Sequence, residues 1–188
     1  MGHPFMTAIA VGLAERGIAT LRYQFPFMEA RSRRPDPPAL AKRTVRSAVR
    51  VAHELMPTLP LFAGGKSFGG RMTSQAQAES PLAHVQGLCF FGFPLHPPKK
   101  PSTARAEHLA KVTIPMLFLQ GTRDALADLS LMRSVIGTLP AQATLKLLRD
   151  ADHAFNVLVR SGRSHAEVLQ DILETVRDWC AAVNRSAN

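Results

Sequence analysis

Leu59-Pro60-Leu61-Phe62-Ala63-Gly64-Gly65-Lys66-Ser67-Phe68-Gly69-Gly70 runs from an apolar stretch, through a serine flanked by glycines, into a segment compatible with a helix. Residues 59–63 suit a strand and residues 68–79 a helix, which puts Ser67 on a strand-to-helix turn. Gly65 and Gly69, two places either side of Ser67, let the chain turn sharply and leave the hydroxyl at the tip. The same turn aims the backbone amide of Phe68 at the oxygen of an attacked carbonyl, where negative charge develops. A bare G-x-S-x-G pattern is common. Its weight here comes from an acid and a histidine further along the chain.

Asp124 closes a second apolar run, residues 114–120, after Gly121-Thr122-Arg123. His153 comes after a third candidate strand, residues 143–148, in the turn Asp150-Ala151-Asp152-His153-Ala154-Phe155. Three strands that end on the same edge of a parallel sheet would deliver serine, acid and histidine to one place, in that chain order. In such a set His153 takes the Ser67 proton and later protonates the leaving group, while Asp124 fixes the imidazole tautomer and steadies its charge. Asp128 and Asp152 are the rival acids. Asp152 adjoins His153, which makes contact in the plane of that ring awkward. Each residue also has an ordinary use: Ser67 as a turn serine, Asp124 as a helix N-cap, His153 as a loop histidine. The order of all three behind successive strands favours the triad.

Gly65-Lys66-Ser67 also resembles the end of a phosphate-binding loop. That motif needs glycine at position 60, where Pro60 offers neither flexibility nor an amide donor.

Residues 4–16 read as a helix with Pro4 in its first turn and Gly17 past its end, and residues 18–25 as a strand buried on both faces. A Pro-rich link, residues 33–38, leads to a basic helix over 39–55, and a further strand is expected at 85–91. In the last helix Ser164 and Glu167 form a capping box, and Leu169, Ile172, Leu173, Val176, Cys180 and Val183 make an apolar stripe. Alternating strands and helices argue an α/β fold, a mostly parallel sheet with helices on both faces. Residues 92–102 carry Pro94, Pro97, Pro98 and Pro101 and are too short for a cap domain, so an open site is expected.

With 188 residues, 46% of them hydrophobic, the chain can bury one core. The expected organisation is a single domain over residues 1–183 and a frayed tail over 184–188. No apolar run reaches membrane-spanning length and the N-terminus lacks a signal-peptide pattern, so a soluble cytoplasmic protein is expected, with no membrane partner. Cys89 and Cys180 read as buried hydrophobes, and seven scattered histidines give no metal-ligand spacing, so no metal or other cofactor is expected. The net charge is +9, concentrated in Arg31, Arg33, Arg34, Lys42, Arg43, Arg46 and Arg50. Lys42, Arg46 and Arg50 recur every fourth residue and read as a solvated helix face; no aromatic interleaving supports a nucleic-acid site, although a protein partner or an anionic substrate remains compatible.

The stretches His3-Pro4-Phe5-Met6, 21–26, 64–71 around Ser67, Gly121-Thr122-Arg123-Asp124 and 150–155 around His153 resemble a small α/β-hydrolase-like family. That family includes bacterial predicted hydrolases and relatives of testis-expressed and chromatin-complex subunit proteins, and neighbours the dienelactone hydrolases. The resemblance spans nearly the whole chain. It implies an α/β-hydrolase fold with Ser67, Asp124 and His153 as nucleophile, acid and base, acting on a small acyl substrate that it does not name. A hydrolase-like scaffold that binds a partner without catalysis is the alternative. The resemblance also implies, ahead of His3, a strand ending in a His-Gly-rich loop that carries a second oxyanion donor. Its expected place is in mid-sheet, between residues 18–25 and 59–63, and the coding start is accordingly expected upstream of Met1.

Overall fold

The computed structural model describes residues 2–139 and 143–187. Its elements are α1 (Pro4–Ala14), α2 (Pro26–Glu29), α3 (Pro38–Leu55), β1 (Leu61–Lys66), α4 (Phe68–Glu79), β2 (Val85–Phe91), a 3-10 segment (Ala104–Lys111), β3 (Met116–Gly121), α5 (Leu129–Thr138), β4 (Ala143–Leu148) and α6 (His165–Ala187). Among the described residues one sheet forms, in the order β1-β2-β3-β4, with every neighbouring pair parallel. Helices cover both faces, as the alternation of strands and helices implies, and among the described residues no cap domain is present, as the short segment 92–102 implies.

The central strands show why their sequences are apolar without alternation. In β2, Leu88 and Phe90 enter the core shared with α3, α4 and α5, while Cys89 and Phe91 enter the core shared with α1 and α6. Met116 and Phe118 of β3 divide from Leu117 and Leu119 in the same way. A strand with a helix layer on each face needs apolar side chains at every position.

Two expectations change. Residues 18–25 are rich in β-formers yet form no strand. A strand exists through hydrogen bonds to a neighbour, and a cavity of about 430 Å³ lies between residues 18–23 and the nearest strand, β1. The second change concerns α6, which runs through Asn184 to Ala187, where the sequence places a tail. Its start is as expected: Ser164 N donates to Glu167 Oε2 at 2.6 Å, and Glu167 N donates to Ser164 Oγ at 3.2 Å.

The basic stripe of α3 is put to structural use. Lys42 pairs with Glu79 at 2.6 Å, and Arg46 donates to the carbonyls of Ala76 and Ser80 at 2.6 and 2.9 Å. Arg46 thus supplies a donor to the Ser80 carbonyl just past the end of α4 and a second donor to the Ala76 carbonyl, which already accepts from Ser80 N at 3.2 Å. Arg50 pairs with Glu54 on its own helix. No helix among the described residues is long and apolar enough to cross a membrane.

Candidate active site

Ser67 occupies a single residue between β1 and α4, with φ 51° and ψ −113°. A non-glycine residue at positive φ is strained, and such strain persists where surrounding contacts over-determine it. Ser67 N donates to the carbonyl of Phe91 at 3.1 Å, and its own carbonyl accepts from Arg71 N at 3.1 Å in the first turn of α4. Of the flanking glycines it is Gly65 that serves close approach, since the positive φ falls on the serine. A Cβ on Gly65 would lie 3.2 Å from the backbone of Gly69 and Gly70, and one on Gly70 would lie 2.7 Å from the carbonyl oxygen of Gly65. At Gly69 a Cβ would meet only a Phe25 ring carbon at 3.7 Å, an ordinary contact. Gly70 is therefore the tighter partner of Gly65.

The strand ends bring together the three residues singled out by their order. His153 Nε2 stands 2.9 Å from Ser67 Oγ, and His153 Nδ1 stands 2.7 Å from Asp124 Oδ2. The network assigns the tautomer: Nδ1–H donates to the carboxylate, which leaves Nε2 to accept the serine proton. The Asp124 side chain is fully buried, and its carboxylate takes two further donors, Gln120 Nε2 and the Leu126 amide at 2.8 Å. Gln120 is itself fixed by accepting from Phe93 N at 3.0 Å. The rival acids are occupied elsewhere. Asp128 caps α5 through the amides of Ser130 and Leu131, and Asp152 accepts from Ala154 N and Asn156 N within its own turn.

Phe68 opens α4, so its amide is free of an intrahelical partner and belongs to the positive end of the helix dipole. Around it lie Phe25 and Phe27, whose rings meet the Phe68 ring at 5.2 and 5.7 Å between centroids. Gly92, at φ 68°, passes beside the imidazole, and a Cβ there would lie 3.4 Å from both Cε1 and Nδ1 of His153. The Pro-rich segment after it is tied to the start of α5 by His96. His96, almost fully buried, accepts from Asp128 N at 2.9 Å through Nε2 and stands 2.9 Å from the Pro97 carbonyl through Nδ1.

Lys66 was visible in the sequence only as part of a phosphate-loop pattern. Its Nζ donates to the main-chain carbonyl of His153 at 2.6 Å and lies 4.8 Å from the centroids of Phe5 and Phe155. Burial pushes its ammonium down to about 8, against the attraction of Asp124 and Asp152. Burial also lowers His108 to about 4, with Arg71 adding repulsion, while the ring meets Ser74 Oγ at 2.7 Å. Among the described residues no group of three or more His, Cys, Asp or Glu side chains could hold a metal ion.

Solved structures share this fold at low identity. An alpha-beta serine hydrolase homologue from Coxiella burnetii superposes with a TM-score of 0.71 at 18% identity, covering 93% of this chain and 77% of that one. A lidless serine hydrolase from Xanthomonas campestris gives 0.72 at 23% identity over 95% and 75% of the two chains. Dienelactone hydrolase from Anabaena variabilis gives 0.70 at 20% identity over 95% and 78%. The strand order, the serine on its turn and these likenesses agree with the match of residues 1–181 to the alpha/beta hydrolase domain, and the chain belongs to that family.

Proposed function

We propose that the protein is a serine hydrolase of small esters, thioesters or similar acyl compounds, with Ser67 as nucleophile, His153 as general base and acid, and Asp124 as the residue that orients His153. The supporting observation is the unbroken path of 2.9 and 2.7 Å from Ser67 Oγ through His153 to a buried carboxylate. Ser67 Oγ attacks the acyl carbon as His153 Nε2 takes its proton, and the oxyanion forms against the Phe68 amide. Collapse expels the alcohol or thiol, which leaves with the proton held on His153. Water then attacks the acyl-enzyme by the same route, returning the proton to Ser67 and releasing the acid. Every step uses groups of this chain, and the lidless mouth suits small acyl compounds. The narrower kinship with bacterial predicted hydrolases and with testis-expressed and chromatin-complex proteins belongs to this proposal. So does a cytoplasmic setting, with which two free thiols, Cys89 and Cys180, are compatible.

A fluorophosphonate probe tests the proposal. The folded protein should be labelled on Ser67, and Ser67→Ala should abolish labelling and ester hydrolysis together. Esterase activity unchanged by Ser67→Ala would refute it.

The cavity beside β1 adds a second element to the proposal. Its walls come from both helix layers, with Ile9, Leu13 and Val176 on one side and Val45, Val49 and Ala52 on the other. Among the described residues β1 pairs with β2 alone, so its outer backbone groups face this slot. A segment that is apolar on both faces and able to bond to a strand edge is itself a strand. We infer that one more strand fills the slot, and that its closing loop brings a second amide toward the oxyanion. The same slot favours the other reading, a hydrolase-like scaffold that takes its strand from a protein partner. On that reading partner capture survives Ser67→Ala. Charge reversal at Lys42, Arg46 and Arg50 is a poorer test of it, because these cations are already paired within the fold.

A further inference from the structure

Lys66 is an ammonium placed where solvation is poor, beside two aromatic rings. Among the described residues no carboxylate comes within ion-pair distance of Nζ, whose hydrogen-bond acceptor is the His153 carbonyl at 2.6 Å. The rings on which it lies, Phe5 of α1 and Phe155 of the histidine turn, stack on each other at 5.1 Å. Withdrawing an ammonium from water is costly, and contacts with two aromatic rings offset that cost only in part. Methionine would fill the same space without that cost. Stability therefore does not account for a lysine here, and position does.

Lys66 is covalently next to Ser67, and its far end holds the residue that carries the imidazole, 87 positions away in sequence. His153 sits in a short turn bent by two residues at positive φ, Asp150 at 60° and Phe155 at 66°. Asp124 fixes the ring from one end, but the ring can still swing if the main chain beneath it moves. We propose that Lys66 is a positioning residue, its ammonium pinning the His153 main chain so that the imidazole stays in line with Ser67 Oγ. This rests on the hydrolase proposal only for its effect on rate.

A charge-assisted hydrogen bond is roughly twice as strong as a neutral one, so the pin weakens when the ammonium loses its proton. The charged groups that bear on it, Asp124 and Asp152, both favour the protonated form, yet burial leaves its pKa at about 8. The rate should therefore fall as pH rises through about 8.

The test compares wild type, Lys66→Met and Lys66→Arg. Hydrolysis of p-nitrophenyl butyrate is monitored at a wavelength insensitive to nitrophenol ionisation, alongside thermal melting and hydrogen exchange of residues 152–156. Lys66→Met should lower kcat at pH 7 on the order of tenfold to a hundredfold with KM within about twofold, and lose the decline near pH 8. Its Tm should stay level or rise, whereas a merely structural lysine would lower it. Lys66→Arg should keep kcat within several-fold and move the decline above pH 10. Exchange in 152–156, corrected for the intrinsic pH effect, should quicken in Lys66→Met and in wild type above pH 8. If wild type neither hydrolyses the ester nor takes a fluorophosphonate but exchange responds, the pin stands and the hydrolase proposal falls. If wild type is active and Lys66→Met matches it in rate, pH profile and exchange, the pin is wrong.

Discussion

At the scale of single residues, the site depends on backbone held in conformations that a side chain strains. Gly92 shows this outside the motif: it takes φ 68°, and a Cβ there would touch two atoms of the His153 ring at 3.4 Å. Gly92→Ala should cost about 1 to 2 kcal/mol in backbone strain, and a backbone that relaxes from φ 68° shifts the new methyl against the imidazole and moves it off Ser67. The expected outcome is a kcat lower by at least tenfold with a melting temperature down by only a few degrees, read from ester kinetics and calorimetry. An unchanged kcat would mean that the ring tolerates the displacement. The meeting of Ser67, Asp124 and His153 at one sheet edge was legible in the sequence because chain order and strand ends constrain them jointly. Gln120, Gly70, Gly92 and Lys66 were not, since their roles depend on neighbours far away in the chain. Gln120 left one clue, a polar residue ending an apolar strand four places before Asp124. Lys66 left another, a cation at the end of a strand otherwise made of Leu, Phe, Ala and Gly.

Among the elements, α3 and α4 are joined by cations that the sequence presented as a solvated face. The fourfold spacing of Lys42, Arg46 and Arg50 was readable, but the partners of the first two, Glu79 and two carbonyls at the end of α4, lie 30 or more residues away. Arg46→Met should remove the donor that Arg46 gives to the carbonyls of Ser80 and of Ala76, the latter keeping Ser80 N, at the cost of about 1 to 2 kcal/mol, after allowance for an arginine one third exposed. Urea unfolding should show the loss, while esterase activity stays near wild type because Ser67 sits at the opposite end of α4. Loss of activity at full stability would instead tie Arg46 to the site. Elements α4 and β2 were legible to the residue because glycine, serine, histidine or proline bounds them on both sides, and β4 because Arg149-Asp150 ends its apolar run. Residues 18–25 misled because β-forming side chains report a buried, extended environment, whereas strand formation also requires a bonded neighbour.

For the whole molecule, the slot beside β1 is where the architecture has most to gain. Filling it with about six apolar residues would bury side chains worth roughly 1.5 to 3 kcal/mol each, most of which chain ordering offsets. A net gain of a few kcal/mol corresponds to about 5 to 10 °C for a domain of this size. Fusing an apolar six-residue strand and a short loop ahead of residue 2 should raise the melting temperature by about that much. Alternate amides of β1 should exchange at least tenfold more slowly at the same time. If β1 exchange stays unchanged, the slot does not accept a strand.

The edge of β1, which carries no strand partner but β2 among the described residues, also bears on how long the protein would last in a cell. A strand edge left without a partner between apolar walls would attract the same edge on other copies and the chaperones that screen for exposed sheets. Copies with a vacant slot would be diverted to aggregation or proteolysis, so abundance would track occupancy more closely than it tracks the rate of synthesis. Quality control would then read the sheet before any substrate does.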